Sequence, residues 1–404
     1  MTGENLLDSR TAWIRLTAII ALSTLGGAGM WSVVVVLPYV QAEFNITRGM
    51  ASLPYTLTML GFGVGGILMG RLTDRFGAMK PVLGATLMLC AGYVVAGMAP
   101  NLAVYVLAQA VMIGMLGASA AFVPLVADAS LWFRRRRGIA VALAASGNYL
   151  AGVVWPPLLT WLIGAYGWRM AHVAVGLICL VTMLPLALML RPRAPGSQGS
   201  HALDDTGEAR PLGFSRNGLT LILSCAGIAC CVAMSMPQVH IIAYCGDLGY
   251  GVARGAEMLS VMFACGIVSR IASGFIADRL GGIRTLLLGA VLQGASLALF
   301  LFFDGLTSLF ALSALFGLVQ GGIVPSYAVI VRENFPASEV GTRVGIVLMA
   351  TLVGMALGGW LSGVIFDLTG SYAAAFLNGV AWNAANVLIM VTLLLRSRRQ
   401  LVPA

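Results

Sequence analysis

The feature that most constrains this chain is the recurrence, from end to end, of apolar runs as long as a bilayer is thick. A helix needs about 20 apolar residues to cross the hydrocarbon core. Twelve such runs fall at 14–40, 51–70, 82–99, 102–127, 139–163, 170–190, 218–244, 256–277, 284–303, 307–330, 345–366 and 373–395. In lipid, backbone N–H and C=O groups must be satisfied within the protein, so each run is expected as a helix. The predicted fold class is therefore an all-α polytopic membrane protein with twelve transmembrane helices. Composition agrees: 59% of the 404 residues are hydrophobic and 10% charged, where soluble domains carry about 25% charged residues. The polar opening MTGENLLDSRTA leads into a run too long for a cleaved signal peptide, so that run reads as the first span. The seven cysteines lie mostly inside apolar runs without metal-ligand spacing, which reads as buried, reduced packing.

One long polar stretch, Arg191–Arg216, is rich in Pro, Gly and Ser. It divides the chain into a six-helix half at 1–190, a cytoplasmic linker at 191–217 and a second six-helix half at 218–404. Basic residues set the sidedness. With both termini cytoplasmic, the inner loops and flanks hold Arg10, Arg15, Arg71, Arg75, Lys80, Arg134 to Arg137, Arg191, Arg193, Arg210, Arg216, Arg279, Arg284, Arg332, Arg343, Arg396, Arg398 and Arg399. The outer side keeps Arg48, Arg169 and Arg254, and Arg270 alone is left inside a span. The net charge of +9 is thus topological and gives no reason to expect nucleic-acid binding. Short tails and loops point to a multi-pass protein of a bacterial inner membrane, expected as a monomer with the lipid bilayer as its surroundings.

The halves repeat. GRLTDRFGAMK (Gly70–Lys80) leaves span two and GFIADRLGGIR (Gly274–Arg284) leaves span eight, while GIAVALAASG (Gly138–Gly147) in span five answers GIVLMATLVG (Gly345–Gly354) in span eleven. Copies with the same sidedness imply parallel six-plus-six repeats, an architecture that sets a substrate site near the midplane. The pattern G-x-x-x-D-R-x-G-x-x-[RK], present twice, resembles the loop signature of the major facilitator superfamily, and the likeness runs the length of the chain. Gly77 and Gly281 permit tight turns, and a carboxylate at Asp74 or Asp278 can face a helix N-terminus. The resemblance implies a gating role for Asp74, Arg75, Asp278 and Arg279.

Arg270 precedes Asp278 by eight residues, about 12 Å along a helix, against a half-core of about 15 Å. It therefore lies near the midplane, where arginine costs from about 3 to over 10 kcal/mol. Gly266, Ser273 and Gly274, one turn away, are small and are expected to leave a cavity beside the guanidinium. Glu257, Asp128 and Asp367 lie near span ends. The partner expected is an anionic ligand, since a guanidinium matches a carboxylate with two parallel hydrogen bonds. The alternative is a structural arginine bonded to backbone carbonyls of a broken helix.

A narrower resemblance supports the carboxylate. WFRRRRGIAVALAASGNYLAG (Trp132–Gly152) and DLTGSY (Asp367–Tyr372) are similar to motifs of the monocarboxylate transporter and oxalate/formate antiporter families, with bacterial lactate-type members nearest in character. That resemblance implies substrate binding by Arg270 in span eight. Animal monocarboxylate transporters carry an acidic residue where this chain has Gly266, and a span-one lysine that is missing between Thr17 and Pro38. A single cationic group suits a monoanion. His240, beyond Pro237 in SMPQVHIIAYC, is the one histidine expected deep in a span, as a proton carrier, a second substrate contact or a neutral packed imidazole. Tyr327, Gln320, Asn148, Phe122 and Trp31 complete the predicted substrate-binding set, with ordinary interhelical packing as the competing reading.

The function expected is secondary active transport of a small monocarboxylate such as lactate or pyruvate by alternating access, coupled to a proton or a counter-anion. An oxalate/formate-type antiporter is the alternative, followed by a drug or hydrophobe exporter, for which an acidic core residue would be usual. A sensor or scaffold would need a large extramembrane domain. No Walker motif, nucleophile–base pair or metal constellation is visible, so neither an enzyme nor a cofactor is expected.

Overall fold

The computed structural model describes residues 7–133, 135–192 and 211–400; most of the predicted linker, residues 193–210, lies outside the described residues, as do both chain ends. Every regular element among the described residues is helical. Eleven helical segments are long and apolar enough to cross a membrane. One of them, Arg137–Leu188, runs 52 residues and is broken at Gly167, whose φ of 78° no helix contains. Counted as two spans about that glycine, it supplies the fifth and sixth, consistent with the twelve expected.

The remaining spans are Arg10–Phe44, Arg48–Phe76, Met79–Gly97, Leu102–Trp132, Arg216–Asp247, Val252–Leu280, Gly282–Leu299, Leu306–Asn334, Ala337–Thr369 and Tyr372–Gln400. Most begin and end a few residues outside the apolar runs, because polar flanks still take helical backbone. Several starts are capped as their sequences allow: the side chains of Ser9, Thr47 and Asn101 accept from the backbone N–H groups of Ala12, Met50 and Val104.

The chain falls into two compact units. The first comprises Met1–Gly199 with Cys245–Ser260, the second Ser200–Tyr244 with Val261–Ala404. In the first, the spans at Arg10–Phe44 and Met79–Gly97 pack on the long 137–188 helix, and the second span packs on the fourth. Its polar face is closed by ion pairs. Arg169 reaches Glu43 at 2.7 Å and the carbonyls of Gly97 and Ala99, and Arg48, 7% exposed, meets Asp247 at 3.1 Å. In the second unit the ninth span packs on the tenth and twelfth, and the eleventh bridges tenth and twelfth.

The fourth span departs from the uninterrupted helix expected. It is α-helical over Leu102–Leu107, π-helical over Ala108–Met115, 3-10 over Ala118–Ala121, and α-helical again over Val123–Trp132. The cause is close backbone approach to the second span. A Cβ on Gly114 would stand 2.8 Å from the carbonyl oxygen of Thr58, and a Cβ on Gly61 or Gly65 would overlap the carbonyl oxygens of Ala110 or Met115. The tenth span breaks in the corresponding place, at Gly321 and Gly322 between Leu306–Gln320 and Ile323–Asn334. Gly117 and Gly321 are separated by the same 204 residues as Gly70 and Gly274, so the break belongs to the repeat.

A second finding concerns charge. Arg15, counted from sequence as a flank charge, is 4% exposed and holds Asp128 through Nε at 2.8 Å and Nη2 at 2.9 Å. Its ring neighbour is Trp132, 4.6 Å from the guanidinium carbon. Arg270 is therefore not the sole arginine drawn in among the helices.

Candidate functional site

In the second unit the site is built around the break in the tenth span. A helix that stops at Gln320 and restarts at Ile323 leaves carbonyls without their usual N–H partners. Arg270, half-buried on the eighth span, donates from Nε to one of them, Gly321 O, at 3.4 Å. Two of the small residues beside Arg270 are met closely by the tenth span. A Cβ on Gly321 would overlap the carbonyl oxygen of Gly266, and one on Gly322 would overlap the side chain of Ser273, so both small residues serve close approach of the two helices. At Gly274 an added Cβ meets nothing within 4 Å.

Gln320, at the last turn before the break, is fully buried and accepts at Oε1 from Gln238 Nε2 of the seventh span, 2.6 Å away. The Nε2 of Gln320 and Oε1 of Gln238 have no partner among the described residues. Arg270 and Gln320 are thus brought to the same break, joined by Gln238, a residue that sequence reasoning passed over. Its signal was present: SMPQVH places Gln238 directly after the span's one proline.

His240, two residues on, is fully buried. Its Nε2 lies 2.8 Å from the Gly359 carbonyl oxygen and its Nδ1 3.2 Å from the Tyr372 hydroxyl. A carbonyl only accepts, so Nε2 carries the proton and Nδ1 accepts from the phenol. Tyr327 is also fully buried and donates to Asn386 Oδ1 of the twelfth span at 3.1 Å, leaving Asn386 Nδ2 without a partner among the described residues. Tyr327 therefore ties the tenth span to the twelfth.

In the first unit Trp31, 2% exposed, donates from its indole nitrogen to the backbone carbonyl of Asn148 at 3.3 Å. The Asn148 side chain keeps a buried Oδ1 without a partner among the described residues. Phe122 is half-buried at the end of the 3-10 turn, its ring 6.2 Å from that of Phe62. His172, near the end of its span, is a second enclosed histidine: it is fully buried among Tyr93, Tyr105 and Trp168, donates from Nδ1 to Trp168 O at 3.0 Å, and faces Gln109 at 3.4 Å. It escaped notice because it lies near the end of its apolar run, where packing from neighbouring spans encloses it.

The two signature loops share one geometry. Gly77 and Gly281 both take positive φ, 77° and 80°, with ψ of 165° at each. Asp74, Arg75, Asp278 and Arg279 are exposed. The carboxylate that caps a helix here is Glu333, whose oxygens accept from Gly282 N at 3.0 and 3.2 Å.

Comparison with known proteins gives this arrangement a family. The Major Facilitator Superfamily profile matches residues 19–308 and 258–403. Monocarboxylate transporter 13 of Bos taurus is 30% identical over 353 residues, covering 85% of this chain and 79% of that protein. An MFS-type transporter of Gibberella moniliformis is 28% identical over 370 residues, 86% of each chain. Among solved structures, a bacterial homologue of the human lysosomal transporter Spinster superposes with a TM-score of 0.71 over 97% of this chain and 98% of that one, at 15% identity, a likeness of fold. A repeated signature loop, a repeated helix break and a profile match over nearly the whole chain agree: this chain is a multi-pass membrane transporter, not an enzyme, and belongs to the major facilitator superfamily.

Proposed function

We propose that this transporter carries a small monocarboxylate anion, of the lactate or pyruvate kind, by secondary active alternating access coupled to a proton. The observation that carries the proposal is Arg270: a permanent cation on the eighth span, held against the broken tenth span beside a buried amide pair. A guanidinium in that setting favours an anion, and one such group balances one carboxylate. The relatives named monocarboxylate transporter 13, at 30% and 29% identity, support the same substrate class. We assign Arg270 and Gln320 to substrate binding, with Tyr327, Asn148, Phe122 and Trp31 as supports of the helices around the substrate's path.

For coupling we assign His240. Protonation turns Nδ1 from acceptor to donor and forces the Tyr372 hydroxyl to rotate, so a proton taken up here alters the contact between the seventh and twelfth spans. His240→Gln retains hydrogen bonding without titration. Proton coupling through His240 requires that this variant lose the pH dependence of uptake; unchanged pH dependence assigns coupling elsewhere.

The test of the whole reading is uptake of labelled lactate, pyruvate, formate and oxalate into proteoliposomes, with and without a pH gradient. Wild type should favour monoanions and respond to the gradient. Arg270→Gln should lower uptake at least about tenfold, the worth of about 1.4 kcal/mol. Undiminished uptake by that variant would remove Arg270 from the site. A second reading, export of a larger organic product, draws on the fungal relatives, among them the Agnestins efflux protein AgnL12 at 23% identity. It predicts that no small monocarboxylate is taken up under any gradient.

A further inference from the structure

The first unit carries an apolar groove of about 510 Å³ between the second and third spans, lined by none of the residues discussed above for substrate. Its walls are Met69, Leu72 and Phe76 on one side and Ala85 and Met88 on the other, with Leu116 of the fourth span also lining it. Gly84 also lines it, and a Cβ built there meets nothing within 4 Å, so the groove is open where that glycine stands. Lys80 stands at one end. From Lys80 to Met88 the third span rises by eight residues, about 12 Å, so the groove runs from the membrane interface toward the interior.

The rim is cationic. The guanidinium of Arg75 lies 5.1 Å and the ammonium of Lys80 5.8 Å from the centre of the Phe76 ring, which itself lines the groove. Arg71, one turn before Arg75 in the same helix, is a further exposed cation nearby in sequence, against one exposed acid, Asp74. A greasy slot with the cations Lys80 and Arg75 at one end matches one molecular shape, an anionic headgroup attached to an acyl chain. We propose that this groove binds an anionic phospholipid, its phosphate held by Lys80 and Arg75 and one acyl chain laid along Leu72, Gly84 and Met88.

The position gives the lipid leverage. Leu116 terminates the π-helical segment of the fourth span, one residue before Gly117, so an acyl chain in the groove presses on the backbone break. The headgroup end is the loop that carries Asp74 and the Gly77 turn. Occupancy would stabilise one arrangement of both.

The test is native mass spectrometry of the full chain in mild detergent, titrated with phosphatidylglycerol, phosphatidylcholine and inorganic phosphate. Wild type should hold one phosphatidylglycerol in preference to phosphatidylcholine, with inorganic phosphate failing to displace it. Lys80→Gln should reduce phosphatidylglycerol affinity about fivefold and leave phosphatidylcholine unchanged, and Lys80→Arg should restore it. Gly84→Trp, which fills the slot, should reduce the binding of both lipids. Should Gly84→Trp fail to fold, Leu72→Trp fills the same slot from the opposite wall, and Gly84→Ala, which adds one methyl into open space, should bind as wild type. Equal retention of the two lipids by wild type, displacement by inorganic phosphate, or undiminished binding by the filled variants would each overturn the proposal.

Discussion

Arg15 and Asp128 show how this protein keeps charge among its helices. Two parallel hydrogen bonds at 2.8 and 2.9 Å join them, the third guanidinium nitrogen donates to Pro192 O at 3.0 Å, and the Trp132 ring covers one face. A pair this enclosed is weak evidence of net stabilisation, but removing one partner strands the other. Asp128→Asn should therefore cost about 3–5 kcal/mol and lower the thermal midpoint in detergent, whereas Arg15→Met with Asp128→Leu should recover most of that loss. A midpoint unmoved by Asp128→Asn would mean that the pair is hydrated and loosely held. The sequence placed both residues at span ends, which is right; their partnership spans 113 positions and has no local signature. Arg270 was legible as an arginine out of place, and its carbonyl partner was legible only as one of two alternatives. His172 was not legible at all, since enclosure by Tyr93, Tyr105 and Trp168 depends on three other stretches of chain.

At the scale of elements, apolar run length located the spans because lipid leaves the backbone no other choice. It could not tell α from π or 3-10 winding, which satisfy the same groups, so the broken fourth span was read as a plain helix. The breaks come from glycine-mediated contact: Gly61 and Gly65 press on the fourth span, and Gly317 and Gly321 press on the eighth. Not every glycine matters in this way. Gly65→Ala and Gly321→Ala put a methyl into a carbonyl oxygen and should each cost about 1–3 kcal/mol through forced separation of the helices. Gly341→Ala and Gly345→Ala, where an added Cβ meets nothing within 4 Å, should match or exceed wild-type stability. Thermal unfolding of the four variants checks the contrast, and a uniform effect across them would mean that helix propensity, not contact, sets the response.

For the whole molecule, the repeated loops are where the two halves of the sequence share one turn conformation. Both turn on a glycine at φ near 80° and ψ 165°, a region closed to residues with a Cβ, which is why the pattern keeps glycine at 77 and 281. Yet their surroundings differ. Gly282 N is held by Glu333, and the Glu333 carboxylate would stand 3.4 Å from a Cβ on Gly281, while a Cβ on Gly77 would meet nothing. The second loop is therefore anchored within its own unit. If the loops gate transport, neutralising Asp74 or Asp278 should slow turnover several-fold and leave half-saturation for substrate within about twofold, because neither carboxylate contributes uniform substrate binding. Glu333→Gln should weaken the anchor of the second loop and move the Asp278 phenotype without touching that of Asp74. Initial-rate kinetics in proteoliposomes separate these outcomes. A large loss of apparent affinity with normal maximal rate, in either aspartate variant, would place that loop on the substrate's path and count against a gate.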